Sequence, residues 1–419
     1  MILEYDLVII GAGPAGIMAG LEARDNNKDI SIVILESQTS LGKKLRMTGG
    51  GRCNFTNNDD IGDFFDNIVT NSKFLYSALY GFSNEDMKSY IRKLGLDYKV
   101  EKENYNKVYL SCENSQNLIE AFERQIKKNN IDIFYDTKVL DIDPKKKLIY
   151  TDSEMFSANK VIISTGGLSY PQSGSDGSML DILRKKGYDI IEPRPGLVPF
   201  NLSDKWIKNM PGISFKNIEF SIFDTSKGRK KLIKRIRGEI IFTHRGIGGP
   251  AALKVSSYIN KDIKKYMVCL DLIPEISEEE FFSICKLESK KAVTSNIKKI
   301  FPTNFIKNIS DEIENKSIVA DFKTIQAANF SKKDFNELLL LTKNIQLDIN
   351  SLGKIDTATI TSGGVNVKNI NPNTMESKLD EGIYFAGEMI DVDALTGGYN
   401  LQIAFSTGVL AGRSINMNE

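Results

Sequence analysis

Tyr5-Asp6-Leu7-Val8-Ile9-Ile10-Gly11-Ala12-Gly13-Pro14-Ala15-Gly16 joins an apolar run of strand length to a glycine-rich turn, and Pro14 to Asn26 continues with helical periodicity. In this strand–turn–helix order, Gly11 permits the tight turn, Gly13 leaves room for backbone to approach a pyrophosphate, and Gly16 lets the helix pack on the strand. The helix N-terminus then presents free N–H groups to the phosphates. A second strand, Ile30 to Leu35, ends in Glu36, where an acidic side chain accepts hydrogen bonds from a ribose. A carboxylate there repels a 2′-phosphate, which points to FAD or NAD rather than NADP. The fold class predicted is α/β, with a discontinuous Rossmann-type domain.

Working outward, each further glycine cluster falls where a flat anionic ligand would need close backbone. The loop Leu41 to Asn54 carries Gly49-Gly50-Gly51 among Lys43, Lys44, Arg46 and Arg52, a composition suited to anionic groups and not to helix or strand. Cys53 in that loop reads as a packing residue, since no histidine is nearby in sequence to activate it. The apolar run Lys160 to Ser164 leads into Thr165-Gly166-Gly167, a strand end of the kind that meets a ligand in open α/β sheets. Near the C-terminus, Ile355 to Ile360 is predicted as a strand before Thr361-Ser362-Gly363-Gly364, and Gly382 to Ala386 as another before Gly387-Glu388. Leu395-Thr396-Gly397-Gly398-Tyr399-Asn400 then opens a helix predicted from Asn400 to Asn416. Its N-terminus suits the flavin N1 and C2 carbonyl, where charge accumulates on reduction.

The chain has 419 residues, 41% hydrophobic and 26% charged, with a net charge of +1. That length suits two or three domains, and the balanced charge selects neither nucleic acid nor membrane. The four cysteines are scattered, with no metal-type or redox-pair spacing. No metal site is expected. Met1 leads straight into the first strand and no stretch reaches transmembrane length, so the cytoplasm is the expected compartment.

Between the glycine clusters, helices are predicted over 72–94 and 117–128 and a strand over 131–142. Three prolines between Glu192 and Pro199 mark a boundary, after which strands are predicted at 214–223, 239–243 and 266–272. Ser277 followed by Glu278-Glu279-Glu280 reads as a capping box. The predicted domains are a first part of the cofactor domain over 1–192, a β-rich insertion over 193–275 plus about 317–346, a helical subdomain over 276–316, and the rest of the cofactor domain over 347–419.

Gly11 to Gly16, Gly49 to Asn54, Thr165 to Gly167, Phe242 to Pro250 and Gly387 through Asn400, in this order over nearly the whole chain, resemble the BaiN/YhiN-like flavoproteins, a group also labelled aminoacetone-oxidase-like. The resemblance implies non-covalent FAD, an inserted β-barrel-like domain and a small helical piece. Its members are named both as bile-acid-type enone reductases and as amine or amino-acid oxidases. Gly248-Gly249-Pro250 departs from the pattern, since a serine often precedes Gly-Pro there. The cofactor-binding set expected is Gly11, Gly13, Pro14, Ala15, Gly16, Glu36, Lys44, Gly50, Gly51, Arg52, Asn54, Val139, Thr165, Gly166, Gly167, Gly387, Glu388, Asp391, Gly398, Tyr399, Asn400 and Leu401.

His244, the single histidine, is the catalytic candidate for proton transfer, with Tyr170 and Tyr399 as alternative donors. No second G-x-G-x-x-G follows a strand, so NAD(P)H, if it is the transient electron donor, binds without a Rossmann unit of its own. The leading expectation is an FAD-dependent oxidoreductase exchanging a hydride with a small organic substrate at flavin N5, either an NAD(P)H-dependent enone reductase or a peroxide-producing amine oxidase. The basic window Lys227, Arg229, Lys230, Lys231, Lys234, Arg235 and Arg237 raises a reading of another class, an RNA-binding or RNA-modifying flavoprotein, which the near-neutral net charge disfavours. The sequence leaves the oligomeric state open.

Overall fold

The computed structural model describes residues 2–316, 319 and 321–416. The chain divides into two compact units, one of Met1–Gly196 with Ile355–Glu419, the other of Leu197–Lys354.

The first unit is built on a parallel sheet. Its strands run Asp132–Phe134, Ile32–Leu35, Ile2–Ile10, Met155–Ile163 and Ile383–Phe385 in spatial order. Ile10 is level with Leu35 on one side and Ile163 on the other, and Ile163 is level with Phe385. Toward their carboxyl ends, over 7–10, Ile32–Leu35, 161–163 and Ile383–Phe385, these strands are apolar and buried, as parallel strands covered on both faces must be. The register therefore brings Gly11, Glu36, Ser164 and Ala386 to the same carboxyl edge, where ligands of open α/β sheets bind. A hairpin of Val139–Asp143 and Leu148–Thr151 pairs antiparallel with the start of Met155–Ile163.

Several predicted elements divide. The helix predicted over 72–94 becomes Ser72–Leu75, Tyr76–Gly81 and Asn84–Lys93, because Ser83 and Asp86 form a reciprocal capping box that starts a new helix. The strand predicted over 131–142 splits into Asp132–Phe134 and Val139–Asp143, which belong to different places in the sheet. Thr361 to Val365, expected as a loop, are themselves strand: Ile360–Val365 pairs antiparallel with Ile190–Gly196, opposing Arg194 to Ser362 and Pro195 to Thr361. Pro193 falls at the register shift between Ile191 and Arg194, and a two-stranded ribbon consists of edge strands, where proline is tolerated. The proline-rich segment thus belongs to the first unit, and the boundary falls after Gly196 instead of after 192.

The second unit carries an antiparallel sheet in the order Ile345–Gln346, Tyr266–Asp271, Ser214–Asp224, Lys231–Phe242, Gly246–Gly248, Phe200–Leu202, Ile349–Leu352. Its two edge strands are separated in the chain only by Leu347 and Asp348, so the sheet must curl back on itself. These strands place 347–354 in the second unit, eight residues past the predicted boundary. The helices Glu278–Lys286, Thr303–Asn315 and Lys332–Leu340 do not form a core of their own. Phe281, Phe305 and Phe335 are fully buried in the same cluster as Phe220 and Phe242 of the sheet.

Candidate functional site

At the first glycine turn the three glycines have separate reasons to be glycine. Gly11 has φ +101°, and a β-carbon there would lie 2.8 Å from the Ser164 carbonyl oxygen; at Gly16 it would lie 2.0 Å from that of Gly11. At Gly13 it would meet no heavy atom within 4 Å. Pro14 occupies the first turn of Pro14–Asn26, no side chain caps that end, and no acidic residue lies in its first turn. The open side of Gly13 and the uncapped N–H groups of Ala15 and Gly16 make a seat for an anion.

Glu36 closes this seat. Its Oε2 accepts from the Ala12 N–H at 2.8 Å and its Oε1 from the Gln38 N–H at 2.9 Å. Burial pushes its pKa up against these hydrogen bonds. Thr137 N–H bonds the Glu36 carbonyl at 2.9 Å, which fixes the turn two residues before buried Val139 beside the same edge.

A polar network ties the next loops together. Lys44 Nζ is paired with Glu388 and donates to Ser169 Oγ at 2.6 Å. Glu388 Oε1 accepts from the Thr361 N–H at 2.8 Å, and Thr361 Oγ1 accepts from the Leu168 and Ser169 N–H groups at 2.8 and 3.1 Å. A β-carbon on Gly167 would lie 2.3 Å from Thr361 Oγ1, and one on Gly166 2.8 Å from Ser175 Oγ, a buried hydroxyl with no partner among the described residues. Thr165 precedes them, half-buried, at the strand end. Lys44 and Glu388 were expected at the cofactor; Ser169, Ser175 and Thr361 were not, and no spacing marks them.

The triple-glycine loop divides its tasks. Gly50 has open space where a side chain would be, whereas Gly49 lies against the Asn54 N–H and the Tyr109 ring, and Gly51 barely reaches Arg46. Arg52 turns to Glu101 at 2.8 Å and stacks over Tyr109 at 4.1 Å. One of its guanidinium nitrogens is thus engaged by a carboxylate of the protein. Asn54, with its amide oriented to satisfy its neighbours, donates to the Val108 and Thr56 carbonyls and accepts from Gly398 N–H at 3.0 Å, so it clamps the two glycine loops together. Cys53 is fully buried, and burial pushes its thiol up to about 12, the environment of a packing residue.

The C-terminal loop is held by its own chain. The Gly387 N–H donates to Thr407 Oγ1 at 3.0 Å, and the Asp391 N–H to the Val365 carbonyl at 2.9 Å, while Asn71 bonds Asp391. Asn400 clasps Ala394 through both its amide atoms, at 2.9 and 2.8 Å. The Tyr399 hydroxyl donates to Asp59 at 2.7 Å and its ring meets Phe64 edge-on at 4.9 Å. Burial and Asp59 raise its pKa, so Tyr399 is an anchor rather than a proton donor. Leu401 is half-buried in the first turn of Tyr399–Arg413, a helix that no side chain caps.

His244 lies in the second unit, exposed on the turn that Thr243 and Gly246 close by exchanging backbone hydrogen bonds at 2.8 and 3.3 Å. Tyr170, with φ +56°, ends the Ser169 loop and bonds the Asp356 carbonyl. Among the described residues no group of three acidic, histidine or cysteine side chains could hold a metal, and no helix is long and apolar enough to cross a membrane.

The open faces of Gly13 and Gly50, two helix N-termini that no side chain caps and the orphaned Ser175 hydroxyl fit a flavin dinucleotide. Fold and site define an α/β protein of the Rossmann type, in the class of FAD-dependent oxidoreductases. The family model described as HI0933-like protein Rossmann domain matches residues 5–414, and the chain belongs to that family. It is 31% identical over 418 residues to a ribosomal RNA dihydrouridine synthase of Haemophilus influenzae, covering 98% of both chains. It is 26% identical over 411 residues to the 3-dehydro-bile acid delta(4,6)-reductase of Clostridium scindens, covering 97% of this chain and 98% of that one. Among solved structures, a quinol fumarate reductase of E. coli shares the fold at a TM-score of 0.51 and 13% identity, over 99% of this chain and 70% of its own.

Proposed function

We propose that the protein is an FAD-dependent reductase that saturates a carbon–carbon double bond conjugated to a carbonyl. The observation that carries this reading is that two relatives matched end to end are named for that one bond type: a dienone of a 3-oxo steroid in one, the 5,6 bond of uracil in the other. Bound FAD, once reduced, supplies the hydride, and NAD(P)H is the proposed donor that reduces it. The residues of this chain hold and orient that cofactor. The N-terminus of Pro14–Asn26 takes the pyrophosphate across Gly13, Glu36 accepts from a ribose, and the N-terminus of Tyr399–Arg413 stabilises negative charge on the ring. His244 is the proposed proton-transfer residue, and His244→Ala should lower turnover while leaving bound flavin intact.

A uracil ring in RNA is the substrate we infer, on one structural observation. Lys227, Arg229, Lys230 and Lys231 cluster at the exposed turn between Ser214–Asp224 and Lys231–Phe242 and form no ion pair among the described residues. Arg235 and Arg237 further along are neutralised by Glu219 and Glu275. With Asp224 the carboxylate beside Lys227 and Lys231, the tip keeps a net positive charge, which suits phosphates. This reading moves RNA, which the near-neutral net charge disfavours, ahead of the small organic substrate expected first.

The deciding experiment is anaerobic. The flavin is bleached with NADH or NADPH, and its reoxidation is followed on adding ribosomal RNA lacking dihydrouridine, a 3-oxo-Δ4,6 steroid, or air. Recovery with RNA and formation of dihydrouridine is expected. Recovery with the steroid alone transfers the reading to a steroid-type enone, and prompt peroxide formation in air with an amine donor replaces it with an oxidase.

A further inference from the structure

Tyr76 and Tyr80 stand four residues apart on the short helix Tyr76–Gly81, so they share a face, while Ala78 and Leu79 between them are buried. Tyr76 is 47% exposed and Tyr80 57%. Phe65, half-buried on the preceding turn, lies against both, with ring centroids 4.4 Å from Tyr76 and 5.8 Å from Tyr80. The tyrosine rings are 6.0 Å apart and 2° from parallel, and Phe65 is tilted from them by only 23° and 21°. Every other close ring pair among the described residues is tilted or edge-to-face. Parallel stacking thus occurs only where the rings meet solvent.

This patch is fastened to the C-terminal loop of the same unit. The Leu395 N–H donates to the Asn67 carbonyl at 2.8 Å, Ile68–Thr70 pairs with Asp393 and Ala394, and Asn71 donates to the Asp391 carbonyl at 2.7 Å. The chain from Phe65 to Tyr76 is therefore held to the loop that opens Tyr399–Arg413, the helix assigned above to the flavin ring. Its surface charge does not favour phosphates: Asp63 and Asp66 are exposed beside Phe65, against a single cation, Lys73, before the helix. What the patch offers is flat aromatic area. Single-stranded RNA is recognised on such area, by stacking of its unpaired bases on Tyr and Phe rings.

We propose that Phe65, Tyr76 and Tyr80 are a stacking platform for an unpaired base of the RNA substrate, other than the uracil that is reduced. The inference rests on the RNA reading above and adds to it a recognition element within the cofactor unit. The acidic neighbours give it a signature. The platform holds the base and leaves the phosphates in solvent, so its contribution to affinity is insensitive to salt, unlike that of a cationic surface.

The test titrates the FAD-loaded protein, over a series of salt concentrations, with a single-stranded RNA oligonucleotide that carries the fluorescent base 2-aminopurine. The double variant Tyr76→Ala, Tyr80→Ala should bind about tenfold more weakly, with an unchanged slope of log affinity against log salt. It should also lose the quenching of 2-aminopurine that stacking produces in the parent. The double variant Tyr76→Phe, Tyr80→Phe keeps the rings and should bind within about twofold of the parent. Both changes are at exposed side chains, and an unchanged FAD content shows that the fold is kept. Parental affinity and quenching in the alanine variant overturn the proposal, as does a weaker affinity accompanied by a smaller salt slope, which would mean a phosphate contact. Unchanged RNA affinity with a raised requirement for NADH or NADPH in flavin bleaching overturns it too, and gives the rings to the dinucleotide donor. A parent protein that binds no RNA removes the RNA reading and the platform together, whereas a parent that binds RNA as tightly as its alanine variant removes the platform alone.

Discussion

At Gly13 a β-carbon would meet nothing within 4 Å, whereas at Gly398, the corresponding turn before the last helix, it would lie 2.2 Å from the Thr56 carbonyl oxygen. Both glycines precede an uncapped helix, and both sequences look alike as flavin cradles. The first turn spends Gly11 and Gly16 on packing and leaves Gly13 to the ligand. The second has no such spare glycine: Gly397 lies 2.5 Å from the Tyr399 ring by the same measure, and Gly398 adopts φ +94° against Thr56. A glycine-rich segment therefore marks where backbone must come close to something, and the structure alone says whether that something is the ligand or the rest of the chain.

The comparison breaks most visibly at Gly398. Gly398→Ala forces a side chain into a left-handed turn and against a backbone carbonyl that cannot yield, and should cost about 3–5 kcal/mol. Urea denaturation would show it as a lower midpoint or as insoluble protein. A midpoint unchanged from the parent would mean that the second turn, like the first, is open. Gly13→Asp should do the reverse. With open space around it the fold should keep its stability within about 1 kcal/mol, while the carboxylate opposes the pyrophosphate and FAD is lost on purification. A variant that purifies with full FAD rejects the assignment of that turn.

This difference also explains what the sequence made legible. Periodicity and glycine spacing are local, so the strand Ile2–Ile10, the helix Pro14–Asn26 and the end positions of Glu36 and Gly387 were readable, and together they define the cradle edge. Partners chosen across the fold were not. That Arg52 bonds Glu101, 49 residues away, and that Ser362 and Thr70 close around Asp393, is written in no local pattern. The proline-rich segment reads as a boundary because its partner strand, Ile360–Val365, lies more than 160 residues on and reads as a glycine loop.

The cationic turn of the second unit allows a smaller and separate test. Replacing Arg229, Lys230 and Lys231 by Gln should weaken RNA binding across sequences and reduce the slope of log affinity against log salt by about one for each phosphate that is no longer neutralised. FAD content and NAD(P)H bleaching should not move. An unchanged salt slope would leave the cations of that turn without a role in RNA binding.

The smallest effect expected is a pH dependence at the first cradle. Burial holds the Glu36 pKa above its ordinary value in the folded protein. Between the unfolded and the folded value the native state binds more protons than the unfolded chain, so this contribution to stability is full below the ordinary carboxylate range and is lost as pH rises through the folded value. A ribose that donates to the carboxylate favours its ionised form, so bound FAD should shrink this loss. Chemical denaturation of the FAD-free protein at a series of pH values should thus show a decline that Glu36→Gln removes. The same variant costs about 1 kcal/mol at neutral pH, because an amide cannot accept from both the Ala12 and Gln38 N–H groups. An identical decline in the Gln variant would place the responsible proton elsewhere, with Asp393 the next carboxyl to replace, since its pKa is displaced in the same direction.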